Sequence, residues 1–280
     1  MKERIIVAAV CLPVLFIILF FLPSYVFAAL VAIICAISAY ELQTAIGAKG
    51  NERISIYAAF SATLIPIGAY FETYFGIKAL VFIAVFLVLM SLMFLEAIIV
   101  FRTKRQTSFT QILVTLFSGT LIPLMLSTLV SLKSMPEGRL LVLLPVISAF
   151  LTDAGAYFGG VLFGKHRAFP FVSPKKTIEG YIGGLIVGTA SMALYGVILL
   201  YTSLHGIVFW ALILYGIIGA VFTELGDLAF SFIKREYNIK DYGHLLPGHG
   251  GMLDRFDSMV FTAPAIYLLM SVIPAIVVVS

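Results

Sequence analysis

Glu224, Asp227 and Ser231, within VFTELGDLAFSFIKR, are spaced by three and four residues, so a helix carries all three on one face. Asp254 and Asp257, in GHGGMLDRFDSMV, again share a face at the start of the next apolar segment. A charged side chain at the centre of a membrane-spanning helix costs about 2.5–3.5 kcal/mol, so such acids line a protein-walled cavity in preference to lipid. Clustered carboxylates repel one another unless a cation neutralises them, and oxygen donors without a Cys cluster favour a hard ion such as Mg²⁺, singly or with a second cation, over zinc. Glu224, Asp227, Asp254 and Asp257 are therefore the candidate metal ligands. Two other readings stay open: salt bridges to Lys234, Arg235 and Arg255, and a transition metal on His244 and His249, which lack a fixed helical spacing. Asp153 in LTDAGAYFGG is either a further acid of this site or a hydrogen-bonded residue beside a packing seam of Gly155, Gly159 and Gly160.

Positive charge collects beside these acids. GKHRAFPFVSPKKTIEG brings Lys165, Arg167, Lys175 and Lys176 together with the hydroxyls of Ser173 and Thr177, and the next helix is expected to begin near Glu179. Lysines beside a helix N-terminus suit phosphate oxygens, although a basic loop can also be a solvated stretch that obeys the positive-inside rule. Lys234, Arg235, Lys240 and Arg255 form a second group around PGHGG, where Gly248, Gly250 and Gly251 allow backbone N–H groups to converge on an anion. Basic loops coupled to acids fit a metal-bound polyphosphate, and in a membrane its acceptor is expected to be a lipid.

The elements that must position these residues are membrane helices. Of 280 residues 61% are hydrophobic and the mean hydropathy is +1.10, beyond any ordinary globular domain. Nine apolar segments are expected to cross about 30 Å of hydrocarbon, at Ile5–Leu22, Tyr25–Ile46, Ile54–Phe71, Ile77–Phe101, Phe109–Leu132, Leu140–Phe163, Tyr181–Tyr201, Ile207–Ile233 and Phe256–Val279. No ten-residue alternation of a barrel is visible, so the fold class is all-α, a polytopic helical bundle. With a cytoplasmic N-terminus, all but three of the 18 Lys and Arg residues (Lys78, Lys133 and Arg139) fall on the cytoplasmic side. Residues 1–135 read as a scaffold of about five helices, in which Glu41 and Glu96 snorkel or bind a neighbouring helix. Residues 136–280 read as a catalytic region of about four. Cys11 and Cys35 read as reduced packing residues, and no nucleic-acid-binding pattern is present.

At these residues the sequence resembles the phosphatidate cytidylyltransferase (CDP-diacylglycerol synthase) family. The family signature matches here at Ser231, Lys234, Arg235, Lys240, Asp241, Gly243, Leu246, Pro247, His249, Gly250, Gly251, Asp254, Arg255 and Asp257, with further likeness in DAGAYFGG and SPKKTIEG. Ile178 stands where an aromatic residue is more usual. The likeness covers Leu151–Ser258 with specific motifs and the first five segments only as generic membrane helices. It implies that CTP and phosphatidate give CDP-diacylglycerol and pyrophosphate with Mg²⁺. Asp227, Asp254 and Asp257, helped by Glu224, would hold cations. Lys175, Lys176, Lys234, Arg235 and Lys240 would screen the two anions, and Arg255 would complete the catalytic set. His249, Gly250 and Gly251 would shape the triphosphate pocket, with Ser173, Thr177, Asp153 and Asp241 as further substrate contacts. A bacterial inner membrane, a site facing the cytoplasm and a homodimer through the early segments are further expectations. A transporter is the rival reading, against which stand the apolar outer halves of segments six to nine.

Overall fold

The computed structural model describes residues 17–47, 52–103, 106–202, 205–245, 248 and 250–278. Most of the expected first segment lies outside the described residues, as do Lys2, Arg4, Cys11, Lys49, Lys104, Arg105 and His249. The chain divides into two compact units: Met1–Pro136 with Ile239–Phe256, and Glu137–Asn238 with Asp257–Ser280.

In the first unit, α1 (Ser24–Leu42) is preceded by Pro23, whose fixed φ and missing N–H suit a helix entrance. It continues as a π-helical turn over Gln43–Gly47. Then come α2 (Glu52–Phe75), α3 (Lys78–Ile99), α4 (Phe109–Leu116), a second π turn at Phe117–Leu121, and α5 (Ile122–Ser134). Helix α4 starts in a capping box: Ser108 Oγ accepts from Gln111 N–H at 3.2 Å, and Gln111 Oε1 accepts from Ser108 N–H at 2.9 Å. The two π turns are tied together by Gln43, whose buried amide donates to Thr115 Oγ1 at 3.1 Å and Ser118 Oγ at 3.0 Å. Ile54, Leu89, Met93 and Ile112 form a buried cluster between α2, α3 and α4. The far side of α3 exposes Leu80, Ile83, Leu87, Ile98 and Ile99, a face suited to hydrocarbon.

The second unit holds α6 (Gly138–Leu141), α7 (Leu143–Phe163), β1 (Arg167–Phe169), β2 (Ser173–Thr177), α8 (Ile178–Thr202), β3 (His205–Ile207) and α9 (Phe209–Glu236). It also holds α10 (Leu253–Val272) from Asp257 onward, and β4 (Ile276–Val278). Helices α7 and α8 meet along glycines: a Cβ on Gly183 would lie 2.9 Å from Gly155 O and 3.1 Å from Gly159 Cα. The glycines of LTDAGAYFGG thus serve a packing seam. Helices α9 and α10 are joined by the Thr223 and Thr262 hydroxyls, 2.7 Å apart, and by Gly226, where a Cβ would come within 3.0 Å of Asp257 O.

Seven helices among the described residues are long and apolar enough to cross a membrane, and the protein is nearly all-α. They correspond to the second through eighth expected segments. Helix α10 is not one of them, since acids and Arg255 occupy its start. Two departures from a purely helical reading occur. The basic loop is an antiparallel hairpin, β1 with β2, too short for its alternation to show in the sequence. The expected ninth segment ends as a helix at Val272 and finishes as β4, antiparallel to β3. Pro274 cannot continue a helix, and hydropathy does not distinguish an apolar, β-branched strand from a helix end.

Candidate active site

In the second unit, a cavity of about 400 Å³ opens among Asp153, Tyr157, Lys175, Lys176, Thr177, Tyr181, Glu224 and Asp227. Each wall has a local cause. Thr177 Oγ1 accepts from Gly180 N–H at 3.1 Å and caps α8, which fixes the end of β2 against the helix start. The Lys176 ammonium, carried next to that cap, pairs with the Asp227 carboxylate on α9 and sits 5.6 Å from the centroid of the Tyr181 ring. Burial by itself would lower the Lys176 pKa, but the charge and hydrogen bond of Asp227 outweigh it and hold the lysine above its ordinary value. Ser231 Oγ lies 3.4 Å from Asp227 Oδ1, one turn further along α9.

Glu224 stands one turn before Asp227, and its Oε1 is buried without a hydrogen-bond partner, packed over Gly184 of α8. Asp257, 7% exposed, lies within electrostatic reach of Asp227, and Lys234 Nζ approaches it at 3.8 Å. Ser258 Oγ lies 3.5 Å from Asp153 Oδ2. Of the four expected metal ligands, Glu224, Asp227 and Asp257 lie in this unit, with Asp153 near Ser258 and Lys176 and Lys234 beside the acids, whereas Asp254 belongs to the first unit. Among the described residues, no group of three or more His, Cys, Asp or Glu side chains is placed to hold a metal ion.

Basic residues divide by task. Arg167 donates to Lys175 O at 3.1 Å, and Arg235 Nε donates to Val172 O at 3.2 Å, so these arginines hold the hairpin's backbone. Glu179 accepts from the backbone N–H groups of Lys165 and His166 and lies 2.6 Å from His166 Nδ1, which closes the loop at the head of α8. Lys175 is exposed and Ser173 half-buried on β2.

The remaining motif residues belong to the first unit. Asp254, 8% exposed, uses Oδ2 to accept from Tyr242 N–H at 2.9 Å and Gly251 N–H at 3.0 Å. Gly250 has a φ of +81°, a left-handed conformation that glycine adopts without strain. Lys240 and Arg255 are exposed, and Asp241 is half-buried. Sequence reasoning missed one member of this group: Glu41 is 6% exposed and accepts from Met252 N–H and Leu253 N–H, each at 2.9 Å. Of the two expectations for it, snorkelling or binding a neighbouring helix, the second holds: it caps the start of α10. The available signal was a carboxylate one turn from the end of an apolar helix. Tyr181 was missed also, since nothing in its local sequence marks it.

The fold and these side chains define an α-helical membrane protein that sets acids of two helices against lysines of a hairpin around one cavity. Residues 2–273 match the family model of the Cytidylyltransferase family, and the chain belongs to that family. It is 43% identical over 134 residues to the phosphatidate cytidylyltransferases of Staphylococcus saprophyticus subsp. saprophyticus and Staphylococcus haemolyticus, a stretch covering 48% of this chain and 50% of either protein. The Staphylococcus aureus phosphatidate cytidylyltransferase is 42% identical over the same length and shares of chain. The aligned stretch spans about half the length of these relatives.

Proposed function

We propose that the chain is a Mg²⁺-dependent phosphatidate cytidylyltransferase, converting CTP and phosphatidate to CDP-diacylglycerol and pyrophosphate. The observation that carries the reading is the cavity of about 400 Å³ in which Asp227 and Glu224 face Lys175 and Lys176, supported by membership of the Cytidylyltransferase family. Donor chemistry fits Mg²⁺: Glu224, Asp227 and Asp257 offer only oxygens, and Glu224 Oε1 is a buried acceptor without a hydrogen-bond partner. Of the four acids that the sequence marks as ligands, these three share a unit and, although not drawn into one metal-holding group here, would contribute oxygens to the ion. When bound, Mg²⁺ supplies charge neutralisation to the triphosphate.

The remaining work falls to the chain's own residues. A phosphomonoester has a second pKa near 6, so phosphatidate is largely dianionic at neutral pH, and its oxygen attacks the α-phosphorus of CTP without a strong base. Lys175 and Lys176 reduce the repulsion between this dianion and the triphosphate, and the hairpin held by Arg235 keeps them at the cavity wall. By the motif's likeness to the family, the glycine loop at Gly250 and Gly251, which Asp254 tethers through the Gly251 N–H, would contribute to binding the triphosphate. Positioning and electrostatics then account for in-line displacement of pyrophosphate. We place the N-terminus and this site on the cytoplasmic side of a bacterial inner membrane, with nine crossings, on the Lys and Arg asymmetry of the sequence.

Purified protein, given phosphatidate with each of the four ribonucleoside triphosphates, is expected to release pyrophosphate with CTP and Mg²⁺ alone. Equal release from all four, or none from CTP, overturns the reading.

A further inference from the structure

The buried carboxylate that the proposed mechanism does not use is Glu41. It lies at the end of α1, more than 200 positions before the motif it touches, as the sequence separations of 211 and 212 to Met252 and Leu253 show. Each of its oxygens accepts one N–H of the α10 start, at 2.9 Å, satisfying two of the donors that a helix N-terminus leaves open. Two glycines of the motif are shaped around it. A Cβ on Gly243 would fall 2.5 Å from Glu41 Oε1, and a Cβ on Gly251 would fall 2.5 Å from Oε2. A second buried acid continues the clamp, since Asp254 binds the N–H groups of Tyr242 and Gly251. Four consecutive or facing backbone donors, at Tyr242, Gly251, Met252 and Leu253, are therefore held by two carboxylates.

We propose that Glu41 is a positioning residue for the nucleotide site: its carboxylate pins the glycine loop and the first turn of α10, and so sets the aim of Asp254. Both oxygens of Glu41 are taken by N–H groups, so in this role it acts through the backbone it anchors. The inference rests on the cytidylyltransferase reading for its catalytic consequence, but the anchoring itself is independent of what reaction is catalysed. A glutamine retains one acceptor and turns an NH₂ group toward the other N–H, so Glu41→Gln keeps the shape of the side chain and removes half of the anchor.

The test measures hydrogen–deuterium exchange and steady-state kinetics on the full-length protein in detergent, for wild type, Glu41→Gln and Gly243→Ala. Exchange in the peptide carrying Met252 and Leu253 is expected to rise about tenfold or more in Glu41→Gln, the effect of losing a hydrogen bond to a charged acceptor, with the peptides of α7 and α8 unchanged. The KM for CTP is expected to rise about tenfold in the same variant. A merely structural loss would lower the apparent kcat through the amount of folded enzyme and leave KM in place. Gly243→Ala, which presses a methyl group against the same carboxylate, is expected to reproduce both changes should Glu41→Gln fold poorly. Unchanged exchange in both variants overturns the anchor, and raised exchange with an unchanged KM overturns the positioning role. A wild-type protein that releases no pyrophosphate overturns the functional reading, while the exchange arm still decides the anchor.

Discussion

Asp227 and Asp254 look alike in the sequence and are used differently. Asp227 faces a lysine at the wall of a cavity, whereas one oxygen of Asp254 is committed to two backbone N–H groups. Replacing either by Asn removes a negative charge that an amide does not restore. Asp227→Asn and Asp254→Asn are each expected to lower Mg²⁺-dependent pyrophosphate release by about 100-fold or more, with monodisperse elution in detergent retained. Only Asp254→Asn should also speed exchange at Gly251, which separates the two roles. Lys176 supplies a pH test. Its pKa is raised in the folded protein, so its pairing contributes stability in full below the unfolded value of about 10.4 and loses it as pH rises through the folded one. The difference in thermal midpoint between wild type and Lys176→Met is expected to stay flat from pH 6 to about 9 and to shrink in more alkaline buffer. The acids and lysines that line the cavity were legible from residue type and spacing, whereas Glu41 was not. What each carboxylate touches was not, because a spacing of three or four defines a face and leaves open whether lysine, backbone or metal lies opposite.

At the scale of elements, glycine decides where helices meet. Gly183 of α8 has only backbone atoms of α7 in front of it, and these have no rotamer by which to withdraw. Gly183→Ala is therefore expected to cost about 1–3 kcal/mol and to lower the midpoint of thermal unfolding in detergent, the range typical of overpacking. A midpoint equal to wild type would show that α7 and α8 do not approach so closely. The helical spans were readable because about twenty apolar residues leave no alternative in hydrocarbon. The β1–β2 hairpin was not, since strands of three and five residues carry too little pattern to rise above a charged loop. The π turns at Gln43–Gly47 and Phe117–Leu121 were equally hidden, for they depend on the buried bonds from Gln43 to Thr115 and Ser118.

For the whole molecule, the distribution of Lys and Arg predicts which loops share a side. Single cysteines placed at Lys165 and Lys240 are expected to react with a membrane-impermeant maleimide only from the cytoplasmic side of sealed vesicles, and one at Arg139 only from the other. Labelling of all three from one side would overturn the proposed orientation. The two compact units cut across the order of the chain, since Ile239–Phe256 joins the first unit although it follows most of the second in sequence. No local pattern announces such a return.

Taken alone, the sequence determined that the protein is a helical membrane protein, where seven long apolar helices run, and which charged residues fall together in its motifs. These follow from hydropathy, charge asymmetry and helical spacing, all of which are local. Only the tertiary structure decided that Lys176 faces Asp227, that Glu224 keeps a buried oxygen without a hydrogen-bond partner, and that Glu41 caps α10. Those pairings join residues far apart in the chain, and their partners are chosen by the close approach of backbones, which composition and periodicity do not encode.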